Sequence, residues 1–513
     1  METVQRMVIL PNEKIGEISP YLHGNFAEHL GELVYPGIWV GEKSPIPNTR
    51  GIRNDVVQAL KPLNVPVLRW PGGCFADGYH WRDGIGPREQ RPQRVNVWWG
   101  MAPEPNAFGT HEFAQFCRMI GTEPYFTANV GSGSPQELRD WAEYCNFKGR
   151  STLADERRAN GEAEPFNIRY WAIGNENWGC GGNMGPEQYA QEFCRFRTYL
   201  FNYPHAPSHA IACGPSGQDW AWSRRFFEHM RKHHWNRMGL MQSYAAHYYC
   251  GTSGTATAYT PQQWLELLAR AKAVEGIIAG HRQIMDEYDP ERKISLILDE
   301  WGAWHPAESG KPMSGLYQQN TMRDALACAL TLDVFHNHAD KIYMGNIAQL
   351  INVLQSVLLV QEDRCIKTPT YHAFDLYQPH KGGTAVRLVN GSEAISDGGA
   401  AKQACCDCWV DKHAKPLQAV HGSASVKQGV LCLTACNTHP GETIELDAQI
   451  VGGGIAEAEL AALAADDIHA HNTFERPDAV RLSKPRRVQG DGGRLRVQLA
   501  PGAVVRLMGK LVG

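Results

Sequence analysis

The most constraining feature of this 513-residue chain is an alternation of short apolar runs with longer amphipathic segments, from about Tyr21 to about Gln378. Such an alternation is typical of repeated β-α units on a parallel sheet. Eight strands are predicted over this stretch, which is the number that closes a (β/α)8 (TIM) barrel of the α/β class. The predicted strands are Tyr21–Phe26, Val65–Trp70, Tyr125–Val130, Arg169–Gly174, Ala210–Cys213, Ser243–Tyr248, Ile294–Asp299 and Ile342–Ala348.

The sequence changes character after His380, where Gly and Ala become more frequent and short β-like runs such as Val430–Thr434 are separated by turn residues. This pattern favours a C-terminal antiparallel β-sandwich. The run Val8–Leu10 has no helix after it, so it is predicted to pair with that sheet. The predicted domains are an N-terminal strand joining the sandwich (residues 1–18), the catalytic barrel (19–380) and the β-sandwich (381–513).

Composition and charge narrow the class of protein. Lys and Arg number 50 against 54 Asp and Glu, so there is no basic surplus of the kind that nucleic-acid binding uses. No stretch approaches the ~20 apolar residues of a membrane span, and Met1–Ile18 is too interrupted by charges to be a signal peptide. We therefore expect a cytoplasmic protein with no nucleic-acid or membrane partner. The 14 cysteines lie mostly in apolar runs without regular spacing, which predicts reduced, buried thiols.

Two predicted strands end at a glutamate in Trp- and Gly-rich surroundings. Asn175 and Glu176 follow the fourth strand in RYWAIGNENWG, and Glu300 follows the seventh in ISLILDEWGAWH. Reacting groups of such barrels lie where strands end, at the C-terminal face. A pair of carboxyl groups is what glycoside hydrolysis needs, one as proton donor and one as nucleophile or base. Neighbours and apolar walls that raise the pKa of Glu176 would keep it protonated near neutral pH.

Each of these glutamates also has a simpler interpretation. A single strand-end Glu is more often a surface charge or the N-cap of the next helix than a catalytic group. Two of them in similar surroundings favour the catalytic interpretation.

Three further stretches supply candidate pocket residues. HGNFAEHLG offers Phe26, Glu28 and His29 after the first strand, and LRWPGG offers Arg69 at the end of the second. Such loops present hydrogen-bonding groups to a small polar ligand. The alternatives are a structural salt bridge for Arg69 and a satisfied buried histidine for His29 and His247.

These residues belong to a larger set of ordered motifs that resembles the α-L-arabinofuranosidases of glycoside hydrolase family 51 over nearly the whole chain. The matching stretches are HGNFAEHLG, RWPGG, DGIGP, FGTHEF, GNEN, HYY, LDEW, NIAQLINV, PTYHAFDLY and HNTFERPDAV. The resemblance implies a (β/α)8 barrel with a C-terminal β-sandwich and a retaining double displacement. It implies Glu176 as acid/base and Glu300 as nucleophile, with no metal or organic cofactor.

The resemblance also implies a subsite for the terminal arabinofuranosyl ring. Its residues would be Glu28, Arg69, Asn175, Tyr249, Trp304 and Gln349, and we add Phe26, Cys74 and His247 as candidate substrate-binding residues. Tyr248 competes with Tyr249, because HYYC can be aligned in two ways.

The chain departs from the family pattern at two positions of this site. Cys74 stands where the family usually has Asn, and Asn25 where it usually has His. Cys74 cannot make the two-sided contacts of an amide. Because no base adjoins it in the sequence, we expect it to line the pocket without taking part in bond-making. Cys180 lies in the other loop nearest the site. A second cysteine group, Cys405-Cys406-Asp407-Cys408, could suggest a soft metal site, but it lacks a fourth ligand at a familiar spacing.

The sequence therefore predicts a retaining exo-α-L-arabinofuranosidase that acts on arabinoxylan or arabinan oligosaccharides and forms a homo-oligomer. One alternative is an endo-β-1,4-glucanase or xylanase, since related barrels use the same carboxylate pair in a longer cleft. Another is a carbohydrate-binding protein without activity, which the presence of both carboxylates disfavours.

Overall fold

A computed structural model describes residues 3–233, 237–251, 254–396 and 416–512. Eight strands form a closed barrel in which every neighbouring pair is parallel. The barrel strands are Gly24–Phe26, Val67–Trp70, Glu123–Ala128, Tyr170–Ile173, His209–Ala212, Ser243–Gly251, Ser295–Trp304 and Ile342–Ala348. Their order around the barrel follows the chain, which confirms the predicted (β/α)8 architecture.

Helices connect successive barrel strands and cover the outside of the barrel. Several begin with the expected local signals: Ser134 accepts a hydrogen bond from the Glu137 amide, and Pro135 occupies the first turn. The helices of the described residues are Asn54–Leu63, Thr110–Ile120, Pro135–Asn146, Thr152–Ala159, Pro186–Tyr199, Trp220–His233, Pro261–Lys272, Val274–Tyr288, Met322–Asn337 and Pro369–Tyr377.

Two barrel strands differ from their predicted bounds in a way that matters for the site. Residues Pro20–His23 form a 3-10 turn capped by Ser19, so the first strand begins only at Gly24. The seventh strand runs on to Trp304, so Glu300 lies within a strand and not after its end. Glu300 pairs with His247 of the sixth strand, whereas the pairing with the eighth strand is irregular between Leu298 and Trp301.

The second domain is a nine-stranded sheet around its own apolar core, which includes Ile9, Leu433, Leu446, Leu460 and Leu507. All of its pairings are antiparallel except one, in which Thr3–Glu17 runs parallel to Ile444–Ile450. In spatial order the strands are Arg486–Gln489, Glu457–Leu463, Val504–Lys510, Val430–Asn437, Val420–Lys427, Thr384–Asn390, Thr3–Glu17, Ile444–Ile450 and Arg494–Leu499. The N-terminal strand thus lies in the C-terminal sheet.

Four two-stranded ribbons complete the described structure. They are Asn48–Thr49 with Ile52–Arg53, Arg94–Asn96 with Ala102–Glu104, Leu358–Gln361 with Arg364–Lys367, and Ala394–Ser396 with Leu417–Gln418. No helix among the described residues has the length and apolar character that crossing a membrane requires. The Cys405-Cys406-Cys408 group lies outside the described residues.

Helix Met322–Asn337 joins the two domains. It is buried on all sides from Met322 to His336, because it packs between the barrel and strand Val420–Lys427. Asp333 on this helix accepts hydrogen bonds from the hydroxyls of Ser423 (2.7 Å) and Thr434 (3.0 Å) in the sheet. Burial raises the pKa of Asp333 to about 7.

The raised pKa of Asp333 predicts that the stability of the fold depends on pH through this interface. The native state holds the Asp333 proton more tightly than the unfolded chain does, so this group destabilises the fold as the pH rises from about 4 to 7. Asp333→Asn cannot ionise, so the melting temperature of the variant relative to the wild type should rise by about 2 °C or more between pH 5 and pH 8. Calorimetry at both pH values measures this difference. Exposed Asp363→Asn is the control, and an equal response of the two variants would contradict the prediction.

Candidate active site

Glu300 is held by two neighbours that come from different barrel strands. Arg69 Nη1 donates to its Oε1 at 2.7 Å, and the Tyr249 hydroxyl donates to its Oε2 at 2.8 Å. Arg69 itself is fully buried, with its guanidinium 4.8 Å from the Phe26 ring centroid, and its Nη2 donates to Asn175 Oδ1 at 2.7 Å. The carboxyl group is therefore oriented at both oxygens and faces a cation, as an ionised nucleophile requires.

Glu176 lies directly after the fourth strand in a backbone conformation that is rare for a residue with a side chain, with φ of +41°. His247 Nδ1 lies 2.9 Å from its Oε1. Burial raises the pKa of Glu176, the charge of Glu300 adds to this, and the contact with His247 opposes it. The net direction is upward, which suits a group that must hold a proton near neutral pH.

His247 connects the two glutamates. Its Nδ1 also lies 3.4 Å from Glu300 Oε2, and its Nε2 lies 2.9 Å from Asp299 Oδ1. Burial opposes a charge on His247, but Glu300 and Asp299 outweigh it and raise the pKa of His247 to about 10. Asp299 is fixed in turn by Tyr125, whose hydroxyl donates to Oδ2 at 3.0 Å, and Arg69 and His247 hold the pKa of Asp299 below its ordinary value despite burial.

The separation of the two glutamates follows from this arrangement. One polar atom each of Glu176, His247 and Glu300 can be chosen so that all three lie within 4.8 Å of one another. Retaining glycosidases hold their carboxyl groups ≈ 5–5.5 Å apart, whereas inverting ones leave ≈ 6.5–9.5 Å for a water molecule. The pair therefore fits a direct attack on the sugar.

A third buried carboxylate, Glu28, faces the same space. Its Oε1 accepts from the Phe75 amide (3.0 Å) and from Trp99 Nε1 (2.9 Å), and its Oε2 accepts from Gln349 Nε2 (3.2 Å). Burial and the charge of Glu300 raise the pKa of Glu28 to about 7. Polar groups fixed in this way suit recognition of sugar hydroxyls.

These groups surround a cavity of about 570 Å³ at the C-terminal face of the barrel. Seven of the predicted site residues line it: Glu28, Cys74, Glu176, Tyr249, Glu300, Trp304 and Gln349. Four others are not part of this lining, and their role in substrate binding stays a prediction: Phe26, Arg69, Asn175 and His247. All four are buried: Arg69 and His247 contact the carboxyl groups, and Phe26 and Asn175 contact Arg69.

The alternatives for the tyrosines and for His29 have clear structural counterparts. Tyr249 points to Glu300 and packs edge-on against Trp304 at 5.1 Å, whereas the Tyr248 hydroxyl donates to the backbone oxygen of Arg270 at 2.6 Å, outside the cavity. Alternate residues of a strand point to opposite faces. His29 is a satisfied buried histidine, since its Nδ1 lies 2.8 Å from Glu104 Oε2 and its Nε2 accepts from Trp70.

Sequence reasoning missed several residues of the cavity. Trp99 comes from the ribbon after the second strand, and its only signal was the Trp98-Trp99 pair. The remaining missed lining is mainly apolar: Leu30, Pro306, Ala307, Met313, Leu316 and Leu354. Nothing in the local sequence marks such residues as functional. Asp299 was also missed, although it adjoins Glu300.

One prediction about the cysteines is wrong for a pair at this site. Cys74 and Cys180 form a disulfide, with their Cα atoms 5.5 Å apart, where reduced thiols were expected. The prediction rested on irregular spacing, and two cysteines 106 positions apart gave no pairing signal. The barrel brings them together because the loops after its second and fourth strands meet at one face.

The arrangement is chemically suited to glycoside hydrolysis, and comparisons with known proteins agree. The family model for the α-L-arabinofuranosidase 1 domain matches residues 59–259, and the model for the α-L-arabinofuranosidase C-terminal domain matches residues 299–502. A protein of Bacteroides ovatus called an intracellular exo-α-L-arabinofuranosidase is 40% identical over 95% of this chain and 92% of its own length.

Solved structures give the same result. The GH51 arabinofuranosidase of Xanthomonas axonopodis pv. citri is 38% identical, covers 99% of this chain and 100% of its own, and superposes with a TM-score of 0.90. An α-L-arabinofuranosidase of Thermotoga maritima, solved as an arabinose complex, is 29% identical with a TM-score of 0.84 over 99% and 100% of the two chains.

The two tyrosines of HYYC provide a matched test of the site. Tyr249→Phe removes a hydrogen bond to a charged group, worth about 1.5–3 kcal/mol, so kcat/KM should fall by about tenfold to a hundredfold. Tyr248→Phe removes a bond of similar geometry outside the cavity and should stay within about twofold of wild type. Initial rates of arabinofuranoside hydrolysis measure both, and a larger loss for Tyr248→Phe would contradict the assignment.

Proposed function

The chain belongs to the α-L-arabinofuranosidases of glycoside hydrolase family 51, and on that premise we propose that Glu300 and Glu176 carry out a retaining double displacement on a terminal arabinofuranosyl unit. The observation that carries the proposal is the short distance between the two glutamates, both in contact with His247. This distance suits a nucleophile and an acid on either side of one glycosidic bond.

In the first step Glu300 attacks the anomeric carbon, and Glu176 donates its proton to the departing oxygen. Arg69 and Tyr249 orient the two Glu300 oxygens, so attack needs little reorganisation of the carboxylate. Burial, aided by the charge of Glu300, keeps the proton on Glu176 until the leaving oxygen requires it.

In the second step Glu176 takes a proton from water, and the resulting hydroxide opens the glycosyl-enzyme. The covalent bond to Glu300 removes the negative charge that adds to the effect of burial on the pKa of Glu176, so this pKa falls and Glu176 can act as a base. One side chain thus serves as acid and base because its neighbour changes charge during the reaction. Glu28 and Gln349, fixed beside the pair, hold the hydroxyls of the sugar.

The substrate we propose is an arabinan or arabinoxylan oligosaccharide with a terminal arabinofuranosyl unit. The relative from Bacteroides ovatus carries the description intracellular, which supports action in the cytoplasm on imported oligosaccharides. We also propose a homo-oligomer, on the strength of the family resemblance; light scattering of the purified protein measures its size.

The roles of the two glutamates can be separated with azide. Glu176→Ala should still form the glycosyl-enzyme from a nitrophenyl arabinofuranoside, because this leaving group needs little protonation. Azide should then restore turnover and give the α-azide of retained configuration. Glu300→Ala should lose the first step for every leaving group, by about a thousandfold or more, and any azide product should be inverted.

The product configuration is read by NMR, and the rates by nitrophenol release. Retained azide product from Glu300→Ala and none from Glu176→Ala would mean that the roles are exchanged. A loss below about tenfold for both variants, only about 1.4 kcal/mol of barrier, would mean that the active site lies elsewhere.

The mode of attack gives a further prediction. A cavity of about 570 Å³ accommodates a terminal sugar better than the middle of a polymer, so the enzyme should release arabinose from branched oligosaccharides without lowering the viscosity of the polymer. Sugar analysis and viscometry are run together, with carboxymethyl-cellulose as the control substrate. A rapid fall in viscosity before arabinose appears would favour the endo-acting alternative.

A further inference from the structure

The Cys74–Cys180 disulfide joins the two loops that carry the acid side of the site. Cys74 begins a 3-10 turn after the second barrel strand, and Cys180 follows Glu176 by four residues after the fourth. The loops also pack directly against each other, since a Cβ built on Gly181 would lie 2.9 Å from Asp77 Oδ2. The disulfide is thus a covalent link between neighbouring loops at the cavity.

The Cys74 side of this link is firmly anchored. The next residue, Phe75, donates its amide to Glu28 at 3.0 Å, and a Cβ on Gly73 would come within 2.8 Å of Glu28 Oε2. Asp77 on the same turn accepts from the amides of Val130 and Gly131 at 3.1 and 2.9 Å. This loop is therefore a fixed reference point.

The Cys180 side is a tight turn built on Glu176. The amides of Gly179 and Gly181 donate to the Glu176 backbone oxygen at 2.7 and 3.1 Å, and Glu176 has a positive φ. A non-glycine residue holds this conformation only when its surroundings impose it. The disulfide at Cys180 is a covalent constraint on this turn.

The disulfide also determines which atom lies against Oε2 of the Glu176 carboxyl group. His247 Nδ1 lies 2.9 Å from Oε1, whereas Oε2 lies 3.7 Å from the Cys180 sulfur. A disulfide sulfur has no hydrogen to donate, but a thiol at the same position would be a weak donor to Oε2. Such a donor stabilises the ionised carboxylate and competes with transfer of the Glu176 proton to a leaving oxygen.

We propose that the Cys74–Cys180 disulfide is a positioning element for proton donation: it fixes the turn that carries Glu176 and leaves Oε2 without a competing donor. The inference rests on Glu176 being the acid. It predicts that reduction impairs the enzyme selectively, in reactions whose leaving group needs protonation. In the reduction a dithiol supplies two electrons and two protons, the S–S bond becomes two thiols, and the dithiol becomes a cyclic disulfide.

The pH dependence should change in a defined direction. The other titratable groups that act on the Glu176 carboxyl are His247, Glu300, Arg69, Tyr249 and Cys213, and reduction alters none of them covalently. A new thiol donor to Oε2 lowers the pKa of Glu176, so the basic limb of kcat/KM should move to lower pH. If the disulfide had only a structural role, its reduction would lower the melting temperature without moving the basic limb of kcat/KM.

The test compares two substrates in the oxidised and reduced full-length enzyme. Peptide mapping without reductant first establishes the bond in active protein. The kcat/KM value, which excludes the second step, is then measured for an arabino-oligosaccharide and for the 4-nitrophenyl arabinoside before and after dithiothreitol. We expect a loss of tenfold or more for the oligosaccharide and less than threefold for the nitrophenyl substrate.

Variants provide the controls. Cys180→Ser, whose hydroxyl can donate to Oε2, should reproduce the reduced enzyme and no longer respond to dithiothreitol. Cys194→Ser alters a half-buried free cysteine on helix Pro186–Tyr199 and should behave as wild type. If Cys180→Ser does not fold, the dithiothreitol experiment on the folded wild-type enzyme still tests the proposal.

Three outcomes would overturn the proposal: equal losses for both substrates, an unmoved basic limb, or two free thiols at these positions in fully active enzyme. Failure of the catalytic assignment looks different, because oxidised Glu176→Ala would then hydrolyse both substrates within about tenfold of the wild-type rate.

Discussion

The active site depends on a buried cluster of charges that balance one another. Arg69 and His247 are cations, Asp299 and Glu300 are anions, and with Glu176 protonated the cluster is neutral. Burying any one of these charges alone would cost several kcal/mol. Together they form ion pairs, with the two anions on the seventh barrel strand, Arg69 on the second and His247 on the sixth. Removing one partner therefore leaves an uncompensated charge at the catalytic centre.

This balance also separates the two glutamates by role. Glu300 faces a guanidinium that cannot lose its proton, whereas Glu176 faces an imidazole and lies near the charge of Glu300. Two side chains of the same chemistry thereby have different surroundings: the pKa of Glu176 is raised, and Glu300 is paired with a cation. Burial is the main cause of the raised pKa of Glu176 and the charge of Glu300 adds to it, so the proposed attachment of the sugar to Glu300 would lower this pKa until the sugar leaves.

The rest of the molecule holds this centre in place. Helix Met322–Asn337 follows the strand that carries Glu300 and packs between the barrel and the sheet. The first strand of the chain lies inside that sheet, between Thr384–Asn390 and Ile444–Ile450. On the opposite side of the site, the Cys74–Cys180 disulfide ties the loop of Glu176 to a loop anchored on Glu28. Both glutamates are thus held by structure well beyond their own strands.

The sequence by itself determined the barrel and the sandwich and singled out the two glutamates, because strand periodicity and strand-end polar residues are local signals. It named seven of the residues that line the cavity, among them Tyr249 with Tyr248 as its rival. Tertiary structure alone decided that Tyr249 reaches Glu300, that Arg69 and His247 act from behind the pair, and that Cys74 meets Cys180. These contacts join residues 51 to 231 positions apart, and such distances are fixed by barrel closure, which no local pattern encodes.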